Sequence, residues 1–233
     1  MGIKELMISF LVTLHLFTLL FIPTILTRLA IGFRPVTTIH LPKSQIPYPV
    51  IFAYRISASK GDLAKLKHAL QAFYHPGNYY LFHVDHNAMT TEHLELIQFV
   101  SSNPVFAEMG NVWVVQKSNL VTYRGPTMLA TTLHAMAMLQ RTCNWDWFIN
   151  LSASDYPLIT QDDLIHAFSD LPKDLNFIQH NNHLGCWKMN KRGKPIIIDP
   201  GLYSHNKSEI RRVIKQRALP TAFKLYTGSA WTF

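Results

Sequence analysis

The sequence has 233 residues, of which 48% are hydrophobic and 15% are charged. This length fits one folded domain with a short extension, and the apolar content suffices for a core, which excludes a long repeat array and a disordered chain. The formal net charge is +8, but it is concentrated: residues 186–233 carry ten Lys and Arg against two acidic residues, whereas residues 35–185 carry nine basic and eleven acidic ones. This pattern indicates a local basic region, which is either a site for an anion such as a diphosphate or a solvated basic face, and it argues against a nucleic-acid-binding protein.

The N-terminus contains an uncharged apolar segment, Leu6–Leu26. A helix needs about 20 such residues to cross a bilayer, so residues 1–34 are predicted to form a short cytoplasmic tail and a transmembrane signal anchor. A cleaved signal peptide is the open alternative, although no small-residue cleavage site follows the segment. The flanking charges, Lys4 on one side and Arg28 on the other, do not determine the orientation. The short N-terminal flank favours a single-pass type II protein with a lumenal C-terminal domain.

Residues 35–49 contain four prolines and are predicted to form an extended stem. A folded domain is expected over residues 50–233. Strand-like and helix-like segments alternate in it, which predicts an α/β fold with a doubly wound, mostly parallel sheet. The predicted strands are Val50–Ile56, Tyr79–Val84, Val112–Val115, Trp147–Leu151 and Asn176–Gln179. The predicted helices begin at Gly61-Asp62, after Thr91, at Pro126 and at the capping-box sequence Thr160–Asp163.

Ligands bind beyond the carboxyl ends of the strands in such sheets, so the loops there are the predicted site. No G-x-G-x-x-G or P-loop sequence occurs, which argues against dinucleotide oxidoreductases and P-loop NTPases. Two cysteines, Cys143 and Cys186, cannot form a four-ligand zinc site by themselves, and whether they pair in a disulfide stays open.

Three acidic residues follow or flank predicted strands. Asp85 directly follows the second strand, where a carboxylate either binds a ribose or base or caps a turn. Asp155 follows the fourth strand and either faces a substrate or forms a turn before Pro157. Asp146 is the one candidate metal ligand, although its partner position in an acid-x-acid pair is Asn144.

Two further sequence patterns have ordinary structural explanations. His83 is expected to be a core or rim histidine, since no third ligand is spaced to complete a metal site with Asp85. Two sequences match the N-glycosylation pattern, but Asn150 falls in a predicted buried strand, so Asn206 is the candidate acceptor.

Long stretches of the chain resemble plant members of the core-2/I-branching glycosyltransferase family, in its arabinogalactan β-glucuronosyltransferase branch. The resemblance extends nearly continuously from Pro47 to Phe233, and it rests on GDLAKLKHALQAFYHPGNYYLFHVD, NLVTYRGPTMLATTLHAM, WDWFINLSASDYPL, LNFIQH, KPIIIDPGLYS and LPTAFKLYTGSAWTF. It implies a nucleotide-sugar-binding (GT-A-like) version of the doubly wound sheet. It also implies an inverting enzyme of the Golgi membrane that uses a UDP-sugar donor, needs no cofactor and does not depend on a divalent metal.

The resemblance also implies roles for individual residues. The segments around the first two strands line the donor nucleotide, two further loops approach the transferred sugar, and the loop after the fifth strand faces the acceptor glycan. The implied donor-binding residues are Ile56, Ser57, Asp85, Tyr123, Arg124 and Asp155. The implied acceptor-binding residues are His180, Asn181, Trp187 and Lys188.

In this family the catalytic glutamate and the basic residues that hold the diphosphate lie beyond the position of Phe233. An inverting transfer needs a carboxylate base and positive charge at the leaving group. The carboxylates available within the chain are Asp155, Asp199 and Glu209, with Asp155 the candidate base.

Two functions therefore stay open. One is transfer of glucuronic acid, or of N-acetylglucosamine or xylose, from UDP to a glycan such as arabinogalactan. The other is a non-catalytic truncated paralogue or gene-model fragment that binds the donor or full-length relatives, as a homo- or hetero-oligomer.

Overall fold

The computed structural model describes residues 48–181, 183, 185–203, 209–218 and 226–232. The predicted membrane anchor and residues 35–47 of the predicted stem lie outside this part of the chain. Within the described ranges, no helix combines the length and the apolar content needed to cross a membrane.

Eight strands and six α-helices are described. The strands are β1 (Phe52–Ala58), β2 (Tyr79–Val84), β3 (Val112–Val114), β4 (Trp147–Ser152), β5 (Ile178–Asn181), β6 (Pro195–Ile198), β7 (Arg211–Gln216) and β8 (Thr227–Thr232). The α-helices are α1 (Leu63–Phe73), α2 (Thr90–Ser102), α3 (Pro104–Met109), α4 (Pro126–Thr142), α5 (Gln161–Ser169) and the short α6 (Cys186–Lys188). A π-helical turn, Met189–Gly193, continues α6, and a 3₁₀ turn, Pro200–Leu202, follows β6.

Four strands form a parallel sheet in the order β3-β2-β1-β4. The chain builds outward from β1 through β2 to β3, and α4 then returns it to the other side of β1. This reversal confirms the predicted α/β fold with a doubly wound parallel sheet. Ser57 of β1 pairs in register with His83 of β2 and Ser152 of β4, so these three residues form one row across the sheet.

Helices cover both faces of the sheet. Alternate residues of each strand point to opposite sides, so each strand contributes side chains to both of these layers. On one face, Phe52, Tyr54 and Ile56 are buried in a large apolar cluster with residues of α1, α2, α3 and α5. On the other face, Ala53 is buried in a smaller cluster with residues of α4, including Leu139. Burial on both faces explains why β1 and β2 are apolar almost throughout.

Local signals account for the helix boundaries. The Thr160 hydroxyl accepts a hydrogen bond from the Asp163 backbone N–H at 3.1 Å and caps α5, which confirms the predicted start of this helix, although the Asp163 carboxylate accepts from the Thr160 hydroxyl and not from its backbone N–H. Pro126 occupies the first turn of α4 as predicted. Helix α3 was not predicted. Asn103 caps it and Gly110 ends it at a φ of 59°, a conformation that favours glycine.

The structure corrects the predicted fifth strand. We expected residues 176–179 to extend the parallel series, but β5 begins at Ile178 and pairs antiparallel with β8. All four residues of β5 are exposed, unlike those of β1 or β2. The pairing depends on β8, whose contact with β5 has no local signal in the sequence. A second antiparallel pair is formed by β6 and β7.

Candidate functional site

The candidate site is the carboxyl edge of the parallel sheet. The strand order reverses between β1 and β4, and ligands of doubly wound sheets bind at such a reversal. Ser57 near the end of β1 and the loop after β4, which contains Asp155, flank this position. Asp85 follows β2, the neighbour of β1 on its other side. The fold thus brings Ser57, Asp85 and Asp155 to one edge of the sheet, at which the loop after β3 with Tyr123 and Arg124 also lies.

The two predicted donor residues on β1 have different environments. The Ser57 hydroxyl is half-buried and donates a hydrogen bond to the Leu151 carbonyl at 3.2 Å, which links β1 to β4. The Ile56 side chain is fully buried in the core on the opposite face. A ligand at this edge is therefore limited to backbone contacts with Ile56, whereas Ser57 remains available as a polar side chain.

Asp85 joins two of the loops at this edge. One carboxylate oxygen accepts a hydrogen bond from the Asn87 N–H at 2.8 Å, and the other accepts one from the Val121 N–H at 2.8 Å. The carboxylate thus forms the capping arrangement that the sequence left open, and it also holds the loop after β3 against the loop after β2. Donor binding by Asp85 stays a prediction.

Tyr123, Arg124 and Gly125 form a tight turn before α4. The Gly125 N–H donates to the Thr122 carbonyl at 2.9 Å, and Arg124 has a φ of 66°, in the left-handed region that costs a non-glycine residue about 1–2 kcal/mol. The Arg124 guanidinium lies 5.1 Å from the centre of the Tyr123 ring, and this ring is 69% exposed. The turn therefore presents an aromatic ring and a cation to solvent at a strained position.

Asp155 closes the loop after β4. Its carboxylate accepts a hydrogen bond from the Ser152 N–H at 2.7 Å, and its own N–H donates to the Ser152 carbonyl at 3.0 Å. The predicted turn is thus present, and the second carboxylate oxygen is the one left to face a substrate. Asp155 also borders an apolar cavity of about 570 Å³ beneath this loop, which Tyr54, Ile149, Leu151 and Phe168 line. The apolar lining suits neither a diphosphate nor a uronate carboxylate.

The other carboxylates that were weighed as a base have structural roles. Asp199 is buried, and its Oδ2 accepts hydrogen bonds from the backbone N–H of Thr127 at 2.8 Å and from the Thr127 hydroxyl at 2.7 Å. Burial tends to raise the pKa of the Asp199 carboxyl, but the hydrogen bonds from Thr122, Thr127 and Gly201 outweigh it, so the pKa is lowered. Asp199 therefore holds the first turn of α4, and this rules against its being a base. Glu209 is exposed and pairs through its backbone with Tyr123.

A buried polar layer lies one row below the edge, on the face that α4 covers. Arg55 is buried, and its guanidinium donates to the Asn150 side-chain carbonyl at 2.8 Å and to the Thr131 hydroxyl at 3.3 Å. Its Nε has no hydrogen-bond partner among the described residues. Burial lowers the pKa of Arg55 to about 10. Arg55 is not among the residues predicted from the sequence, because it is a single charge in an otherwise apolar strand.

His83 lies on the same face of the sheet as Arg55, in the row of Ser57, and it is buried, as expected from the sequence. Its Nε2 lies 3.4 Å from the Asn119 N–H, which donates to it. Burial, followed by the positive charge of Arg55 and the neighbouring His134 and His93, lowers the pKa of His83 to about 4. The ring is therefore neutral at physiological pH.

The four predicted acceptor residues lie on two separate elements. His180 and Asn181 are on β5, where both are exposed, and the His180 ring lies 5.5 Å from that of Tyr226. Trp187 and Lys188 are on α6, where Trp187 is 66% exposed and carries the Lys191 ammonium 4.5 Å from its ring centre. All four are accessible to a ligand, and their acceptor role stays a prediction.

The structure does not support a metal-binding role for Asp146. This residue precedes β4 at the amino edge of the sheet, opposite the candidate site. Its oxygens accept hydrogen bonds from the Ile51 N–H at 2.9 Å and from the Lys173 ammonium at 2.5 Å. The described part of the chain contains no group of three His, Cys, Asp or Glu side chains arranged to hold a metal.

The two cysteines form no disulfide, and one of the two glycosylation motifs lies in β4. Cys143 and Cys186 are both free thiols, so they do not pair with each other. Asn150 is buried in β4, as expected. The candidate glycosylation site, Asn206, lies outside the described residues.

Fold and site together define an α/β protein with a doubly wound parallel sheet, whose candidate ligand-binding site lies at the carboxyl edge where the strand order reverses. Residues 52–233 match the family model of the core-2/I-branching enzymes, and the chain belongs to this family.

The chain is similar in sequence to several curated glycosyltransferases. The chain is 54% identical over 189 residues to the β-glucuronosyltransferase GlcAT14A of Arabidopsis thaliana, which covers 81% of this chain and 42% of the relative. It is 57% identical over 180 residues to GlcAT14B of the same plant, covering 77% of this chain and 41% of the relative. Human xylosyltransferase 1 is 30% identical over 147 residues, or 62% of this chain and 14% of that protein. The chain thus spans less than half the length of the plant relatives.

Proposed function

We propose that this chain forms the donor-binding part of a glucuronosyltransferase, which transfers glucuronic acid from UDP to a galactan side chain of arabinogalactan with inversion. The identity of 54–57% to two plant β-glucuronosyltransferases is the observation that carries this proposal. The more distant similarity to xylosyltransferases supports the wider class, the glycosyltransferases, and leaves xylose or N-acetylglucosamine as alternative donor sugars.

The geometry of the carboxyl edge supports a nucleotide-sugar site of the GT-A-like kind. Asp85 and Asp155 flank the end of β1 from its two neighbouring strands. Each carboxylate is held in place by backbone N–H groups, so both are positioned before a ligand arrives, and preorganisation lowers the cost of binding. The strained turn at Arg124 adds a cation and an aromatic ring on the side of α4.

Positive charge at this edge suits a diphosphate. Arg55 is a buried cation on the same face as Ser57, two residues before it, and has no carboxylate partner among the described residues. Arg124 is exposed in the loop before α4. A divalent metal is not required in this proposal, because cationic side chains stabilise the leaving diphosphate. Asp155 is the in-chain candidate for the base that takes the proton of the acceptor hydroxyl.

The proposal places the protein in the Golgi membrane as a single-pass type II protein with a lumenal domain. The uncharged segment Leu6–Leu26 and the proline-containing residues 35–49 support it.

Binding and transfer should be measured separately on the full chain. UDP and UDP-glucuronate are titrated by calorimetry, and transfer of radiolabelled sugar to galactan oligosaccharides is compared among UDP-glucuronate, UDP-N-acetylglucosamine and UDP-xylose. We expect UDP-glucuronate to bind and to be the preferred donor. Asp155→Asn should abolish any transfer with little change in donor binding, while Asp170→Asn, at the exposed end of α5, should change neither.

Two results discriminate the alternatives. If UDP-glucuronate binds but no sugar is transferred, the chain is a donor-binding module, as in the non-catalytic alternative. If neither UDP nor any UDP-sugar binds, the proposed function is wrong.

A further inference from the structure

A cationic surface lies outside the candidate donor site. We define it by seven described side chains, of which six are exposed and Lys194 is half-buried: Lys188, Lys191, Lys194, Arg211, Arg212, Lys215 and Arg217. They occupy α6, the π-helical turn that follows it, and the hairpin of β6 and β7.

Among the described residues, none of these seven side chains forms an ion pair with a carboxylate. Within the described residues, the ion pairs involve Asp62, Glu95, Asp146 and Asp162, all on other elements. The described stretch from residue 185 to residue 218 contains two acidic residues. One is Asp199, whose carboxylate is buried against Thr127. The other is the exposed Glu209 near the start of β7. The described stretch thus contributes seven positive charges, six of them exposed, against one exposed negative charge, and such an array attracts anions.

The charges are held in a defined arrangement. The Arg217 backbone N–H donates to the Lys194 carbonyl at 3.0 Å, and its Nε donates to the Gly193 carbonyl at 3.1 Å. These bonds fix the end of β7 to the π-helical turn. Along β7, Arg211 and Lys215 lie on one side and Arg212 on the other, because strand residues alternate.

Strand β7 is exposed to solvent as well as charged. All six of its residues are exposed, and Ile214 is fully exposed. A two-stranded sheet with both faces in solvent is marginally stable by itself, so a ligand that covers this hairpin also stabilises it.

An aromatic side chain borders the charges. Trp187 is 66% exposed, with the Lys191 ammonium 4.5 Å from its ring centre. An exposed indole offers an apolar face and one N–H donor. The apolar face of a sugar ring packs against such a ring, and a carboxylate on that sugar meets the adjacent ammonium.

The cationic surface is also connected to the candidate donor site. Glu209, two residues before β7, forms a backbone bridge with Tyr123, and Asp199, directly after β6, is bonded to Thr127 at the start of α4. The loop end of the hairpin, where Asp199 and Glu209 lie, is therefore attached to the turn before α4, and a glycan bound along the hairpin toward this loop reaches that turn.

From these observations we propose that the cationic surface binds a glycan that carries uronate carboxylates, with Trp187 contacting a sugar ring and Arg211 and Lys215, which share one side of β7, pairing with the acid groups. This inference rests on the proposed function, because a glucuronosyltransferase produces a glycan that carries glucuronate. Attachment to the donor edge favours a glycan over a lipid surface or a nucleic acid, neither of which the proposed reaction brings to this edge.

The test is a binding measurement that requires neither UDP nor turnover. The full chain, in detergent, is titrated with a defined oligogalacturonate and with a neutral galactan oligosaccharide of the same length, at low and at physiological ionic strength. We expect the uronate oligomer to bind more tightly than the neutral one and its affinity to fall with salt.

Two charge reversals form a matched pair. Lys215→Glu should weaken uronate binding by about two- to tenfold, since an exposed attraction becomes a repulsion. Lys65→Glu changes the net charge equally on the exposed face of α1 and should leave binding unchanged. Trp187→Ala should weaken binding to the uronate oligomer while its salt dependence persists. Circular dichroism of each variant checks that the fold is intact.

Each other outcome overturns the inference. The first is equal binding of the neutral and the acidic oligosaccharides. The second is an equal loss of uronate binding in Lys215→Glu and Lys65→Glu. The third is that the chain binds anionic phospholipid vesicles or RNA but not the uronate oligomer, and that Lys215→Glu abolishes this binding. The result is separable from the proposed function. Glucuronosyl transfer without uronate binding contradicts this inference alone, and uronate binding without UDP-glucuronate binding contradicts the proposed function alone.

Discussion

Asp199 and Thr127, 72 residues apart in the sequence, are joined by two hydrogen bonds to a single carboxylate oxygen, one from the backbone N–H and one from the hydroxyl. The carboxylate thereby satisfies an N–H in the first turn of α4 and places negative charge at the positive end of the helix dipole. It anchors the segment after β6 to the loop that carries Tyr123 and Arg124.

Removal of this carboxylate should destabilise the fold. We expect Asp199→Ala to lower the free energy of unfolding by about 2–3 kcal/mol, because hydrogen bonds to a charged group are lost and a buried N–H is left unsatisfied. Thr127→Ser, which keeps both donors, should cost much less. Urea unfolding of the three proteins measures the difference, and equal stability of Asp199→Ala and the wild type would contradict the assignment.

The same contact should give an acid dependence. The pKa of Asp199 is lowered in the folded state, so the ionised carboxylate contributes stability above its ordinary pKa, and this contribution is lost as the pH falls through the lowered value. We expect the acid limb of the stability curve to be flatter in Asp199→Asn. Unfolding free energies measured from neutral to strongly acidic pH test this, and parallel curves for the two proteins would be the contrary result.

Gly125 is required for space at this contact. A Cβ at residue 125 would overlap the Asp199 carboxylate, whereas a Cβ at Gly185 would meet no atom within 4 Å. Gly125→Ala should therefore cost about 1–3 kcal/mol of stability through overpacking, with Gly185→Ala as a near-neutral control. Thermal unfolding of both variants tests the expectation, which fails if they unfold at the same temperature.

His83 should contribute a second pH dependence at a higher pH. Its pKa is lowered from 6.5 to about 4, so the unfolded chain takes up a proton before the folded one does. Stability should fall between about pH 6.5 and pH 4 by roughly 3 kcal/mol and become independent of this residue at lower pH. His83→Gln should reduce that slope, and His68→Gln on the exposed face of α1 is the matched control. An unchanged slope in His83→Gln would exclude the residue as its source.

Arg55 and Asn150 should be strongly coupled. Asn150→Val leaves the buried guanidinium with one described acceptor, so we expect it to cost about 3 kcal/mol or more. Arg55→Met removes the charge and should cost less, and adding it to Asn150→Val should restore part of the lost stability. A double-mutant cycle measures this coupling, and additive effects of the two changes would argue against it.

Arg124 offers a test that separates stability from binding. Arg124→Gly relieves the positive φ and should stabilise the fold by about 0.5–1 kcal/mol, whereas Arg124→Ala keeps the strain. If the side chain binds the donor as proposed, both variants should weaken binding of UDP-glucuronate, although only Arg124→Gly should stabilise the fold. If the affinity for UDP-glucuronate instead changes in parallel with the free energy of unfolding, the Arg124 side chain does not bind the donor.

The sequence predicted the elements whose signals are local. Residues 79–84 form an apolar run bounded by turn residues, and β2 has these bounds. Pro126 and Thr160 mark the beginnings of α4 and α5 through the preferences of the first helical turn.

The contacts that escaped prediction are long-range. The pairing of β5 with β8 and the bonds between Asp199 and Thr127 join distant segments, and no local pattern encodes such partners. Arg55 escaped because a strand buried on both faces is expected to be apolar, and its polar partner Asn150 lies on another strand.

The position of β1 in the sheet has a consequence for how the chain is made. Its partner on one side, β2, follows within a short stretch, but the contact between Ile51 and Asp146 at the start of its pairing with β4 spans 95 residues. At about 5–20 residues per second, the ribosome needs about 5–20 s to add that stretch. Throughout this interval the backbone of the most buried strand has an open edge, and open edges recruit other strands. The nascent chain is thus most exposed to aggregation before β4 emerges, so a holdase that binds extended apolar segments should engage it around residues 52–58.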